Sequence, residues 1–129
     1  MRSSILFFIV FVSVAFPGFA QERHLKNAKG FIDKGSFEKA IDRIVTYEKS
    51  VGIKYESIYV RYLLLAKNPP SIVTKDSSLT LLKSANALFL AEVDEKKKNN
   101  LCEELQICGN DLPGLIDSVE VELFELCKV

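Results

Sequence analysis

The chain has 129 residues, of which 48% are hydrophobic and 26% charged. Seventeen Lys and Arg balance seventeen Asp and Glu. That length holds one small domain, and the apolar content argues against a disordered chain. A zero net charge leaves no basic excess to bind nucleic acid through counterion release. Three Cys, one His and no Trp are little material for a metal site or a catalytic triad. The expectation is therefore no catalysis, no cofactor and no metal.

Residues 1–20 read as a secretory leader. Met1 and Arg2 open it, Ile5 to Phe16 is a nearly unbroken apolar run, and Pro17 and Gly18 should break any helix there. Gly18 and Ala20 are small, as a signal peptidase requires, so cleavage is predicted between Ala20 and Gln21. The rival is an uncleaved anchor. Twelve helical residues span only about 18 Å, against about 30 Å of hydrocarbon core. Removing the leader takes away one base (Arg2) and no acid, which leaves sixteen bases and seventeen acids in 109 residues. Residues 21–129 then form one domain with no further membrane span, in the periplasm or outside the cell.

Six segments carry helical periodicity. The first runs from about Arg23 to Lys34, with Leu25, Ala28, Phe31 and Ile32 on one face and Gly35 ending it. Ser36 caps the second, where Phe37, Ala40, Ile41, Ile44 and Val45 form a stripe and Gly52 closes it. The third, about Tyr55 to Lys67, is apolar over most of its circumference and should be central. Asn68-Pro69-Pro70 stops it. A loop to Asp76 is expected next, and Asp76 or Ser77 caps a fourth helix through Leu82, Ala85 and Phe89. Glu92 to Asn100 is either loop or the first turn of a fifth helix striped by Leu101, Cys102, Leu105 and Cys108, with Gly109 as its end. Asp111 caps a sixth helix, with Pro113 tolerated in the first turn. Its stripe is Leu112, Leu115, Ile116, Val119, Leu123 and Leu126. No alternating run suggests a sheet, so the fold class is all-α, built of antiparallel helix pairs joined by short loops.

The segment Ala28-Lys-Gly-Phe31-Ile-Asp-Lys-Gly35-Ser-Phe37-Glu-Lys-Ala40-Ile41 resembles the tetratricopeptide repeat, a helical pair of about 34 residues. Small Ala28 and Ala40 would let two helices approach, Phe31 and Phe37 would fill the space around them, and Gly35 would let the chain reverse. Asn27, His24, Tyr47 and Gly52 depart from the family's pattern. Residues 55–91 and 95–129 share only the two-helix form. A tetratricopeptide-like solenoid and a small irregular helical bundle both remain open.

The resemblance implies a protein or peptide partner on the concave face made by the first helices. By motif position Lys29, Ile32 and Asp33 would face that groove, and Tyr59 and Tyr62 would extend it. Tyr55, Tyr59 and Tyr62 share one helical face, which is either an aromatic contact strip or packed core. Cys102 and Cys108 lie about 9 Å apart along an unbroken helix. They bond only if that helix unwinds early, and otherwise stay apolar thiols. His24 lacks the nucleophile and orienting partner that a catalytic base needs.

The sequence thus points to an exported adaptor that binds another protein. The alternative is an assembly protein that self-associates through its C-terminal helices, if the stripe from Leu112 to Leu126 is an open face.

Overall fold

The structure, a computed structural model, describes residues 17–128, with side chains from Gln21 onward. The apolar run Ile5 to Phe16 lies outside the described residues. Six helices account for most of the rest: α1 (Pro17–Asp33), α2 (Phe37–Val51), α3 (Tyr55–Leu65), α4 (Ile72–Ala91), α5 (Glu95–Leu105) and α6 (Leu112–Cys127). A 3-10 turn at Gly109–Asp111 leads into α6, and no strand occurs among the described residues. The fold is all-α. None of these helices is long and apolar enough to cross a membrane.

Helix α1 starts six residues earlier than its periodicity suggests. Pro17 does not break it but opens it, since proline's fixed φ and missing donor cost nothing in a first turn. The Ala20–Gln21 bond therefore lies inside the helix. At its other end Gly35 adopts φ +78°. Ser36 N–H then donates to the Phe31 carbonyl at 2.8 Å and Gly35 N–H to Ile32 at 3.1 Å, the paired bonds of a Schellman ending. This reversal lays α2 back on α1 in the most extensive helix pair of the fold. Ala28 and Ala40 are both fully buried. Phe37 does not fill the space around them, because it stands 40% exposed.

Gly52 ends α2 at φ +90° and ψ 175°, a conformation that is essentially glycine-only. A Cβ there would meet nothing within 4 Å, so a substitution costs backbone strain alone. Gly52→Ala should destabilise the protein by about 1–3 kcal/mol. Chemical denaturation of the variant checks this, and an unchanged midpoint would contradict it.

Helix α4 differs most from expectation. It begins at Ile72, not near Ser77. Ser71 Oγ accepts from Thr74 N–H at 3.1 Å, and Thr74 Oγ1 accepts from Ser71 N–H at 3.0 Å. This reciprocal pair is a capping box with Thr in place of Glu, and it overrides the weak helix preference of Ile72 and Val73. The connection from α3 shrinks accordingly, and α4 packs back on α3.

Helix α5 is capped by Asp94, whose carboxylate accepts from Lys97 N–H at 3.1 Å. It ends at Leu105, not at Gly109. Gln106 turns left-handed at φ 55°, and Ile107 N–H reaches back to the Leu101 carbonyl at 3.0 Å. Ile107 is thereby fully buried.

The last two helices are not the expected hairpin. Helix α6 packs on α4 instead of α5. Its stripe is not an open face either: Leu112 and Val119 are buried, and Leu115, Ile116, Leu123 and Leu126 are partly buried. The core runs from Leu25, Ala28 and Ile44 through Tyr55, Tyr59 and Val60 to Leu82, Leu101 and Leu112.

Candidate functional site

The polar feature deepest in the core lies where α1, α2, α3 and α5 meet. Glu56 is the second residue of α3 and its side chain is wholly inaccessible. A carboxylate in the first helical turn benefits from the unpaired backbone donors there. Lys97 of α5 brings Nζ to 3.1 Å from Glu56 Oε2, although neither carboxyl oxygen has a well-directed hydrogen bond. Burial raises the Glu56 carboxyl above its usual range, and Lys97 pulls it partly back. Burial also raises Glu22 of α1, with Glu56 and Glu104 adding to the effect. Tyr47 and Tyr55 are pushed up by burial and then by Glu56. Lys97 also lies over the Tyr55 ring, 5.6 Å from its centroid. A cavity of about 310 Å³ opens beside this cluster, lined among others by Glu22, Tyr47, Lys54, Asp94 and Lys97. The pair ties α5 to α3, and the charge of Glu56 is felt by Glu22 of α1 and Tyr47 of α2 beside it. The sequence carries one sign of it, a single acid in a helix that is apolar over most of its circumference.

The residues predicted for the groove divide into two groups. Lys29, Ile32 and Asp33 of α1 line one pocket of about 210 Å³ with Leu63, Ala66 and Lys67 at the end of α3. Ile32 is buried within its wall, Asp33 is exposed, and Lys29 is partly covered. The Lys29 ammonium donates to the Leu105 carbonyl and so ties α1 to α5. Burial pushes that ammonium below its usual range, and Asp33 opposes the shift. Tyr59 is buried in the core, so it offers little surface to a partner. Tyr62 is partly covered beside it, ring centroids 6.4 Å apart and nearly perpendicular.

A second groove is lined by none of the residues predicted to bind. Phe37 and Ile41 of α2, Leu64 and Leu65 of α3 and Leu81 of α4 enclose about 420 Å³, with Arg61 and Asn68 at the rim. Phe37 and Ile41 are 40% and 43% exposed, although periodicity assigns both to the core stripe. The buried residues of α2 are Ala40, Ile44 and Tyr47. Phe37 and Ile41 fall on the edge of that stripe, and the next helix leaves them uncovered. Arg61 is held in place by Glu48, Nε to Oε2 at 3.0 Å, so its charge is already paired. Burial raises the Glu48 carboxyl, but Arg61 and Ser57 outweigh burial and leave it below the usual range.

Cys102 and Cys108 are joined by a disulfide, with Cα atoms 4.3 Å apart. The early end of α5 at Leu105 lets the chain double back far enough. Cys127 is free and exposed. His24 Nδ1 lies 3.2 Å from Arg43 Nη1 and accepts its hydrogen bond. Among the described residues no group of three or more His, Cys, Asp or Glu could hold a metal ion.

No protein-family model, no curated protein and no solved structure matches the chain.

Proposed function

We propose that this chain is an exported helical-repeat adaptor that binds a protein or peptide and performs no catalysis. The observation that carries this reading is the uncovered apolar groove between α2, α3 and α4. Large apolar side chains left open around a concave site mark a place where apolar groups dock. With Arg61 neutralised by Glu48, the groove suits a short apolar peptide segment better than an anion. The pocket of Lys29, Ile32 and Asp33 lies between α1 and α3, where the repeat resemblance would put a concave face. It supplies one charge of each sign for polar groups of the same partner. The tetratricopeptide-like reading is supported by the Ala28 to Ile41 motif and by the stacking of α3 on both α1 and α2. The leader-like residues 1–20 support export.

The test is a crosslinked pull-down from an envelope extract, with the purified chain as bait and free chain as competitor. One dominant partner is expected, with recovery reduced about tenfold by Phe37→Ser together with Ile41→Ser, each half-exposed side chain contributing about 1 kcal/mol or less. Loss on Lys29→Glu and Asp33→Lys with the Phe37 and Ile41 changes neutral would move the site to the α1–α3 pocket. Recovery of the bait alone would sink the adaptor reading.

A further inference from the structure

We propose that the outer face of α6 binds a second copy of this chain, helix against helix and antiparallel. At 100° per residue, the buried side of α6 is set by Leu112, Leu115, Val119 and Leu126. The side opposite, facing solvent, reads Asp117, Val121, Phe124 and Lys128, all four exposed. Val121 and Phe124 are 61% and 63% exposed, which is unusual for large apolar groups at the centre of a helix's outer stripe. The spacing of the four is four, three and four residues, so the stripe reads the same from either end in shape. Its ends carry opposite charge: an acid at the start, a base at the finish.

A stripe of that kind is complementary to itself under a two-fold axis, as an isologous contact requires. In the antiparallel register Val121 meets the partner's Phe124, and Asp117 meets the partner's Lys128, at both ends at once. A parallel pair would instead set Asp117 against Asp117 and Lys128 against Lys128. Within one chain Lys128 folds back, 3.3 Å from Glu125 and 5.0 Å over the Phe124 ring. Both groups of that ion pair are well exposed, so redirecting the ammonium costs little. The Lys75–Glu122 ion pair fastens the start of α4 beside the same half of α6. Glu122 lies about 130° round the helix from the centre of the stripe, so the contact leaves that ion pair intact. Cys127 lies off the stripe. In this register it is about 13 Å along the axis from the partner's Cys127, beyond disulfide reach. The contact is small, so the dimer is a weak, concentration-dependent one. It is independent of the groove between α2 and α4.

Sedimentation equilibrium of the purified chain, carrying Cys127→Ser and taken to about 1 mM, tests the proposal; a Kd below that concentration corresponds to a contact of about 4 kcal/mol. Dimer formation is expected. Phe124→Ser should weaken it about tenfold, and Lys128→Asp about threefold. The double charge exchange Asp117→Lys with Lys128→Asp should restore the original constant. A monomer throughout would overturn the proposal and leave the face to a foreign partner. A dimer indifferent to Phe124→Ser would place the contact elsewhere. A dimer that Lys128→Asp weakens and the double exchange fails to restore would overturn the antiparallel register.

Discussion

Replacing Lys97 by methionine should lower the unfolding free energy at neutral pH by about 3 kcal/mol, the low end for breaking a buried ion pair by removing one partner. Methionine keeps the apolar stem over Tyr55, so the loss isolates the charge. Glu56 is then a buried carboxylate with no counter-ion, and it must either stay charged in the core or take up a proton. The penalty should therefore shrink as the pH falls, because near pH 4 Glu56 is protonated whether or not Lys97 is present. The same linkage acts in the unmodified protein. A carboxyl whose folded pKa is raised binds its proton more tightly in the native state. Its contribution to stability is fully present below the unfolded value of 4.5 and is lost as the pH rises through the folded value. Glu22 acts in the same direction. Glu48 acts in the opposite one, because its carboxyl is depressed and its contribution is lost on acidification. The difference between the unmodified protein and Glu56→Gln cancels Glu48, and it keeps only the part of the Glu22 shift that Glu56 itself causes, which has the same sign. It should show the glutamine variant gaining in relative stability from pH 4 to pH 7. Urea denaturation at a series of pH values measures both variants. A Lys97→Met penalty that is equal at pH 4 and pH 7 would mean that Lys97 acts through packing, not through charge.

The second large effect is expected at Gly109. A Cβ at this position would lie 2.0 Å from Phe89 Cδ1 and 2.4 Å from its Cγ. Because the contact reaches the root of the ring, a small tilt does not relieve it. Phe89 is also held from two other sides. Tyr55 packs edge-on at 5.1 Å between centroids, and Lys98 Nζ lies 4.4 Å from the ring centre. Gly109→Ala should therefore cost about 1–3 kcal/mol by overpacking. The ring would have to leave Tyr55, and Tyr55 adjoins Glu56 in the buried cluster. Shortening the obstacle with Phe89→Leu should make the two changes less than additive, since the residues are in direct contact. Thermal unfolding of the two single variants and the double variant checks this. Strict additivity would mean that the backbone at Gly109 moves and the ring does not. The Cys102–Cys108 bridge ends one residue before Gly109 and limits that backbone movement.

Local information was enough to determine which segments are helices and most of the positions where they stop. The stripes of α2 and α6, Gly35, Gly52, the Pro69-Pro70 break and the Asp111-Leu112-Pro113 start are each legible in a few neighbouring residues, because periodicity and end chemistry are local. Three ends lie elsewhere than these signals place them, for reasons equally local. Proline opens α1 rather than excluding it, a Thr-based capping box starts α4 early, and a left-handed Gln106 ends α5 before Gly109. Which helices touch was decided elsewhere. Nothing in α5 or α6 alone says that α6 lies on α4, or that Lys97 reaches the carboxylate of Glu56 forty-one positions earlier. Pairing between distant segments depends on the summed fit of all the faces, which no short window contains. Exposure follows the same rule: Phe37 and Tyr59 both sit on regular apolar stripes, yet one is open and the other buried. A stripe records that a residue can be covered, and only the tertiary packing supplies the cover.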